Sequence, residues 1–294
     1  MMLLQKWGFA TGAIALLMSP ALFGFTNLPA SPQSSSRIEQ LISLRFPSSG
    51  GSRPARTTGA ASRSECNIEK GKGISSVTAL MPIDNIGTTV AADPNLFVYI
   101  PKSKIEGGEV SIIDVATQQE VYLERFDLSN KPVDARGIVK LSLNGAKLEP
   151  NKTYHWTFTP FCDVTNGIPG YDQTFVEGQF QRTSLSTADS EQLQEASTPL
   201  QRAEIYARAK VWNETLTLVR EASKTTPQEW QTLLESVQLE DLARAPYFGE
   251  SPVLSEEKMG AEASELDSMR SPDSPNAPNA PNAINSSTPI EGLW

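Results

Sequence analysis

The chain has 294 residues, of which 39% are hydrophobic and 20% charged, with a formal net charge of −9. That length leaves room for one medium domain or two small ones once the ends are set aside. Lys and Arg form no stripe threaded by aromatics, so phosphate-neutralising nucleic-acid binding is excluded as the leading reading.

The charge is unevenly spread. Residues 1–76 carry eight basic and three acidic groups, whereas 250–294 carry two basic and eight acidic ones. Met1 to Lys6 holds one positive charge, Gly8 to Phe25 is apolar, and Leu28-Pro29-Ala30 precedes a polar run. This order is that of a secretory signal peptide over 1–30, with a cut expected after Ala30. An uncleaved anchor and a buried helix are the other two readings of the segment. The chain has two cysteines, Cys66 and Cys162. In an oxidising compartment they can pair only with each other within one chain, and neither has a CxxC neighbour or a nearby His. Closing a loop of roughly a hundred residues would remove denatured-state entropy worth ~4–5 kcal/mol. The expected localisation is therefore periplasmic or secreted.

Residues 31–75 are rich in Pro, Ser, Gly and Arg and read as a linker. Within it Ile38, Leu41, Ile42 and Leu44 are spaced like one or two helical turns that could dock on the fold. From 76 to 183 the pattern becomes period two. Strands are expected near 76–81, 95–101, 109–115, 119–128, 137–143, 153–162 and 174–182. The clearest places Tyr154, Trp156 and Phe158 on one face and Thr153, His155, Thr157 and Thr159 on the other. Asn144-Gly145, Asn166-Gly167 and Gly107-Gly108 supply turn chemistry. Seven short strands of this kind predict a mainly β fold, an immunoglobulin-like antiparallel β-sandwich. Leu148-x-Pro150-x-x-x-Tyr154 has the form of a tyrosine corner. Parity places the Cys162 sulfur inward, provided no bulge intervenes.

Residues 187–246 switch to helical spacing, with starts at Thr187, Thr198-Pro199 and Thr226-Pro227. Three short helices and a fragment are expected, forming a tetratricopeptide-like helical extension. Its apolar face should pack on the sandwich or on a neighbouring helix. From 250 to 294 the Pro/Asn/Ala repeat has nothing to bury and reads as a disordered tail.

Four stretches carry a family resemblance. They are Leu80-Met81-Pro82 with Gly87-Thr88-Thr89; Asp93-Pro94 with Phe97 to Pro101; Tyr154-His155-Trp156-x-Phe158 through Cys162; and Val176-Glu177-Gly178 running to Arg182. Tyr206 to Trp212 and Leu233 to Leu239 extend it. Over residues 66–246 the chain resembles a cyanobacterial family of exported proteins known as domain of unknown function number nine hundred twenty-eight. Asp93 stands where such members usually carry His, and Gln179 where an aromatic is usual. The resemblance implies an extracytoplasmic setting and brings no catalytic residues.

Candidate chemistry is sparse. His155 is the single histidine and could act as a base, but it reads first as a solvent-facing strand residue. Glu177 with Asp163 or Asp172 could form the carboxylate pair of a carbohydrate-active hydrolase. Asp163, Asn166 and Asp172 could supply oxygens to calcium, although turn chemistry explains the same residues. Phe97, Tyr99, Tyr154, Trp156, Phe158 and Phe161 read mostly as core. An exposed 97/99 face would instead make a stacking patch for sugar or peptide. The leading expectation is an exported, non-enzymatic interaction module of the cell envelope, without cofactor, catalytic set or metal. Its partner would be an envelope protein, bound through the helix pair, or a glycan. Membrane contact is expected only through the leader if uncleaved. The hydrolase is the alternative.

Overall fold

The computed structural model describes residues 43–47, 66–68, 75–129, 136–165, 168–172 and 174–255. The leader over 1–30, most of the 31–75 linker, the Asn166-Gly167 turn and the tail beyond 255 lie outside the described residues. In chain order the elements are β1 (Thr78–Ala79), β2 (Ile86–Thr89), β3 (Asn95–Ile100), β4 (Gly107–Asp114), β5 (Glu120–Asp127), β6 (Gly137–Ser142), β7 (Thr153–Thr165), β8 (Ile168–Tyr171) and β9 (Val176–Arg182). Helices α1 (Thr187–Glu195), α2 (Pro199–Arg208), α3 (Trp212–Ala222) and α4 (Pro227–Ser236) follow, then a 3-10 turn (Glu240–Leu242) and β10 (Tyr247–Glu250).

The strands form two sheets. One has the order β1-β3-β6-β10; the other has β2-β9-β7-β4-β5, with β8 added to β7. Their inward faces share one core, with Leu96, Val98 and Leu141 from the first sheet and Val110, Trp156 and Phe180 from the second. The fold is thus mainly β and sandwich-like. The expectation of a wholly antiparallel sandwich is corrected, because both sheets are mixed. β2 runs parallel to β9, and β10 parallel to β6. Each of these pairs is separated by a long stretch of chain, which parallel neighbours require.

β7 shows how the sequence sets the layers. Tyr154, Trp156 and Phe158 are buried, while Thr153, His155, Thr157 and Thr159 are only half-buried on the other side. The Tyr154 hydroxyl accepts a hydrogen bond from the Glu149 backbone N–H at 2.8 Å, the bond expected of a tyrosine corner. Gly145 takes the left-handed backbone that the Asn144-Gly145 turn predicts, with φ of +87°. Gly107 and Gly108, expected in a turn, instead begin β4. The rings of Phe161 and Phe158 occupy the space their Cβ atoms would need. These glycines serve close packing.

Cys162 is bonded to Cys66 across a sequence separation of 96, with Cα atoms 5.0 Å apart. Cys162 is half-buried and packs against the core, inward as its parity places it. The β7–β8 register shifts between Phe161 and Val164, whereas the β4–β7 register runs unbroken through Phe161, which is buried opposite Gly107 with its ring edge-on to Tyr171. Cys66 is the fully buried partner.

β3 lies between β1 and β6 and is buried on both faces. The face bearing Asn95 and Phe97 meets α3 and β10. Asn213 Nδ2 donates to the Asn95 carbonyl at 3.1 Å, and Phe97 lies 6.5 Å from the Tyr247 ring. Four helices form where three and a fragment were expected. Thr198 and Gln201 close a capping box at the start of α2, and prolines open α2 and α4. Trp212 locks α3 down, donating from Nε1 to the Leu80 carbonyl at 3.0 Å and from its backbone N–H to Thr88 Oγ1 at 3.0 Å.

Two boundaries move. Residues 43–47, placed in the linker, belong to the core: Leu44 and Phe46 are buried, alternating with exposed neighbours and without helical turns. Their backbone N–H groups donate to Glu229 Oε2 at 2.8 Å and Ser236 Oγ at 3.0 Å. Residues 250–255, placed in the tail, also belong to the fold. Ser251 and Leu254 are buried, and Val253 bridges Phe126 beside β5.

Candidate functional site

The apolar faces of α2, α3 and α4 are consumed by the fold, whereas α1 buries no residue. Trp212, Leu216, Val219, Trp230, Leu233 and Leu234 are all buried. The outer face of the six-stranded sheet is the layer that stays open among the described residues. Strand register lays its side chains in rows. Arg125 of β5, Glu109 of β4 and Thr159 of β7 make one row; Leu123, Ser111, Thr157 and Glu177 make the next. Ile113, His155, Gln179 and Ile86 make a third.

Two polar clusters stand on this face. Arg125 Nε donates to Glu109 Oε2 at 2.9 Å and to the Tyr171 hydroxyl at 3.2 Å, and Tyr171 in turn donates to Glu109 Oε2 at 2.5 Å. Burial pushes the Tyr171 hydroxyl upward, helped by its bond to the Glu109 carboxylate. Burial works against the Arg125 charge, but bonds from Tyr171 and Glu109 outweigh it and hold the guanidinium above its usual value. His155 Nε2 lies 3.2 Å from Glu177 Oε2, with the two side chains 38% and 33% exposed. Apolar groups flank the clusters on β5, where Leu123 is 48% and Val121 40% exposed. Val121 is the residue skipped where the β4–β5 register shifts.

The carboxylates expected to pair are kept apart. Glu177 stands opposite Thr157 of β7, and Asp163 lies six residues further on. At 3.3–3.4 Å per residue that is about 20 Å, against the ~5–10 Å of glycosidase carboxylates. Asp172 is buried, and its carboxylate accepts from the Cys66 N–H at 3.0 Å and from Thr174 N and Oγ1 at 2.8 and 2.9 Å. It clamps the disulfide. Its carboxylate and the two sulfurs come within 4.8 Å of one another, but both sulfurs are spent on their mutual bond. Asp163 is exposed and folds over Gly170, and Asn166 lies outside the described residues. Phe97, Tyr99, Tyr154, Trp156, Phe158 and Phe161 are all core, so the 97/99 face is no stacking patch. His155 faces outward as its parity predicts. Its contact with Glu177, and the Glu109–Arg125–Tyr171 cluster, were not foreseen. The latter needs the β4–β5 register and the unpredicted β8.

Residues 58–247 match the family described as Domain of Unknown Function (DUF928). The chain belongs to that family. The matched stretch spans both cysteines, the two sheets through β9 and all four helices, and ends as β10 begins. No curated protein matches the chain.

Proposed function

We propose that this chain is an exported, non-enzymatic interaction module of the cell envelope that docks a protein partner on the outer face of its six-stranded sheet. The immunoglobulin-like form of the sandwich, supported by the Tyr154–Glu149 bond, and the tetratricopeptide-like form of the α2–α3 pair belong to the same proposal. The observation that carries it is Leu123, a large apolar side chain half in water beside the ordered Glu109–Arg125–Tyr171 cluster. An exposed apolar anchor ringed by fixed polar groups is how interfaces are built. The burial of the helical apolar faces moves the expected contact from the helix pair to this sheet. The burial of the core aromatics favours a protein over a glycan, whose rings would need an exposed stacking surface. The oxidising compartment is supported by the Cys66–Cys162 bond.

The test is saturable binding of labelled mature chain to purified native envelope. Leu123→Glu should weaken it by about tenfold or more, the size of a lost anchor. The same charge step at exposed Gln194 of α1 should leave binding unchanged. Binding that survives Leu123→Glu, or that glycan digestion removes and protease does not, refutes the proposal.

A further inference from the structure

β5 ends the six-stranded sheet, and the side it turns away from β4 is only partly covered. Successive residues of a strand turn their N–H and C=O groups to opposite sides. On the outer side the Asp127 N–H donates to the Pro252 carbonyl at 2.9 Å, and the Arg125 carbonyl accepts from the Leu254 N–H at 2.7 Å. Val253 bridges Phe126 antiparallel between these two bonds. The same alternation points the N–H and C=O of Leu123 outward, where they meet no backbone partner among the described residues. One half of the edge thus carries an extended piece of the chain itself, and the other half is open to a further strand.

The open half has a definite surface chemistry. Val121, Leu123 and Val253 are three of the five large apolar residues exposed among the described residues, so exposed apolar surface gathers along this edge. The β4–β5 register skips Val121, which limits the regular open stretch to the residues just after it. Glu120 and Glu124 bracket that stretch. Glu120 Oε2 accepts from Ser111 Oγ at 2.9 Å and Glu124 Oε1 from the Arg125 N–H at 3.2 Å, and neither carboxylate has a cation against it among the described residues. Arg125, next along the strand, is committed to Glu109. Burial pushes the Tyr122 hydroxyl upward, and the charges of Glu124 and Asp93 push it further, so this end of the sheet is negative.

We propose that the open half of the β5 edge takes up an extended segment of a partner protein as an added strand, one in which apolar side chains alternate with Lys or Arg. This rests on the reading that a protein partner docks on this sheet, and it names the mode. The Leu123 N–H and C=O bond the partner backbone, its apolar side chains cover Leu123 and Val121, and its cations meet Glu120 and Glu124. A second copy fits this edge badly, because a two-fold brings the same carboxylates against each other. Glu256 and Glu257, which follow Ser255 in this chain, also carry the sign of the edge.

The experiment offers the mature chain two short synthetic peptides, alternating Lys-Val and alternating Glu-Val, with binding read by fluorescence anisotropy and hydrogen exchange read at the Leu123 amide. The Lys-Val peptide should bind saturably and at least about tenfold tighter than the Glu-Val peptide. The Leu123 amide should exchange freely in the free chain and about tenfold or more slowly in the complex. Leu123→Ala keeps the N–H and trims the side chain, so measurable binding should remain. Leu123→Pro also removes the N–H, a change that an edge strand tolerates where the group faces water, and should abolish binding. If Leu123→Pro unfolds, exchange at Leu123 in the parent decides in its place. No saturable binding of the Lys-Val peptide, equal binding of the two peptides, or equal losses in the Ala and Pro variants overturns the inference. So does a Leu123 amide already protected in the free chain, since the edge is then filled by the chain's own tail or by a second copy. If envelope binding still falls with Leu123→Glu while these results go against the edge, the partner sits on the sheet face and strand addition alone fails.

Discussion

Phe46→Ala tests the largest change that the structure makes to the sequence reading. Phe46 sits in a stretch that composition assigns to a linker, yet its ring is buried and meets Trp212 edge-on, with centroids 5.0 Å apart. Its backbone is also held, by Ser236 Oγ. Removing the ring forfeits about 2–3 kcal/mol of apolar burial and ~0.5–1.5 kcal/mol of aromatic pairing. Together these come to about 3 kcal/mol. For a domain of about this size each kcal/mol moves the midpoint by 2–4 °C, so thermal unfolding should fall by roughly 6–12 °C. Trp212 should gain access to water, with a red-shifted emission as a second readout. Arg45→Ala is the control, because Arg45 is exposed and should shift stability by no more than about 0.5 kcal/mol. Equal midpoints for the two variants, with unchanged emission, would show that residues 43–47 are not part of the core.

Tyr154→Phe removes the bond to the Glu149 N–H while keeping the ring. It should cost ~1–2 kcal/mol in chemical denaturation, and a neutral substitution would refute the structural role of that corner. Asp114 accepts from Lys152 Nζ at 3.0 Å, a bond that holds its carboxyl below the usual carboxylate range, aided by the Thr117 and Ala116 N–H groups. A depressed folded value means that the stabilisation is present above about pH 4, the unfolded value, and is lost as pH falls through the folded one. Asp114→Asn should therefore unfold at lower denaturant than the parent at neutral pH and converge with it in acid. Parallel curves at every pH would remove this linkage. Glu177→Gln, at a half-exposed pair, should change stability by no more than about 1 kcal/mol.

Much of the β fold was legible because side-chain parity reports burial directly. The Tyr154-Trp156-Phe158 alternation places β7, and the all-apolar run from Leu96 to Ile100 marks β3 as a strand covered on both sides. Helix starts were equally readable, since Thr198 with Gln201 and the prolines at 199 and 227 act within one turn of themselves. β2, β8 and β10 were not. Ile86 to Thr89 is short, Pro169 interrupts β8, and Tyr247 to Glu250 becomes a strand only through β6, more than a hundred residues earlier. The same limit hid Glu214 and Glu229. Each lies in the first turn of a helix, where an acid looks like a partner for the helix dipole. Their roles at Val90 and Leu44 depend on distant chain arriving at that turn.

Intact mass decides most directly whether this product matures in an oxidising compartment with Cys66 joined to Cys162. Chain recovered from native envelope would be alkylated with and without prior reduction and weighed. The account expects a mass lacking the first thirty residues, no adduct before reduction and two after it, one for each cysteine. A full-length chain from soluble extract that takes up both adducts without reductant would contradict it.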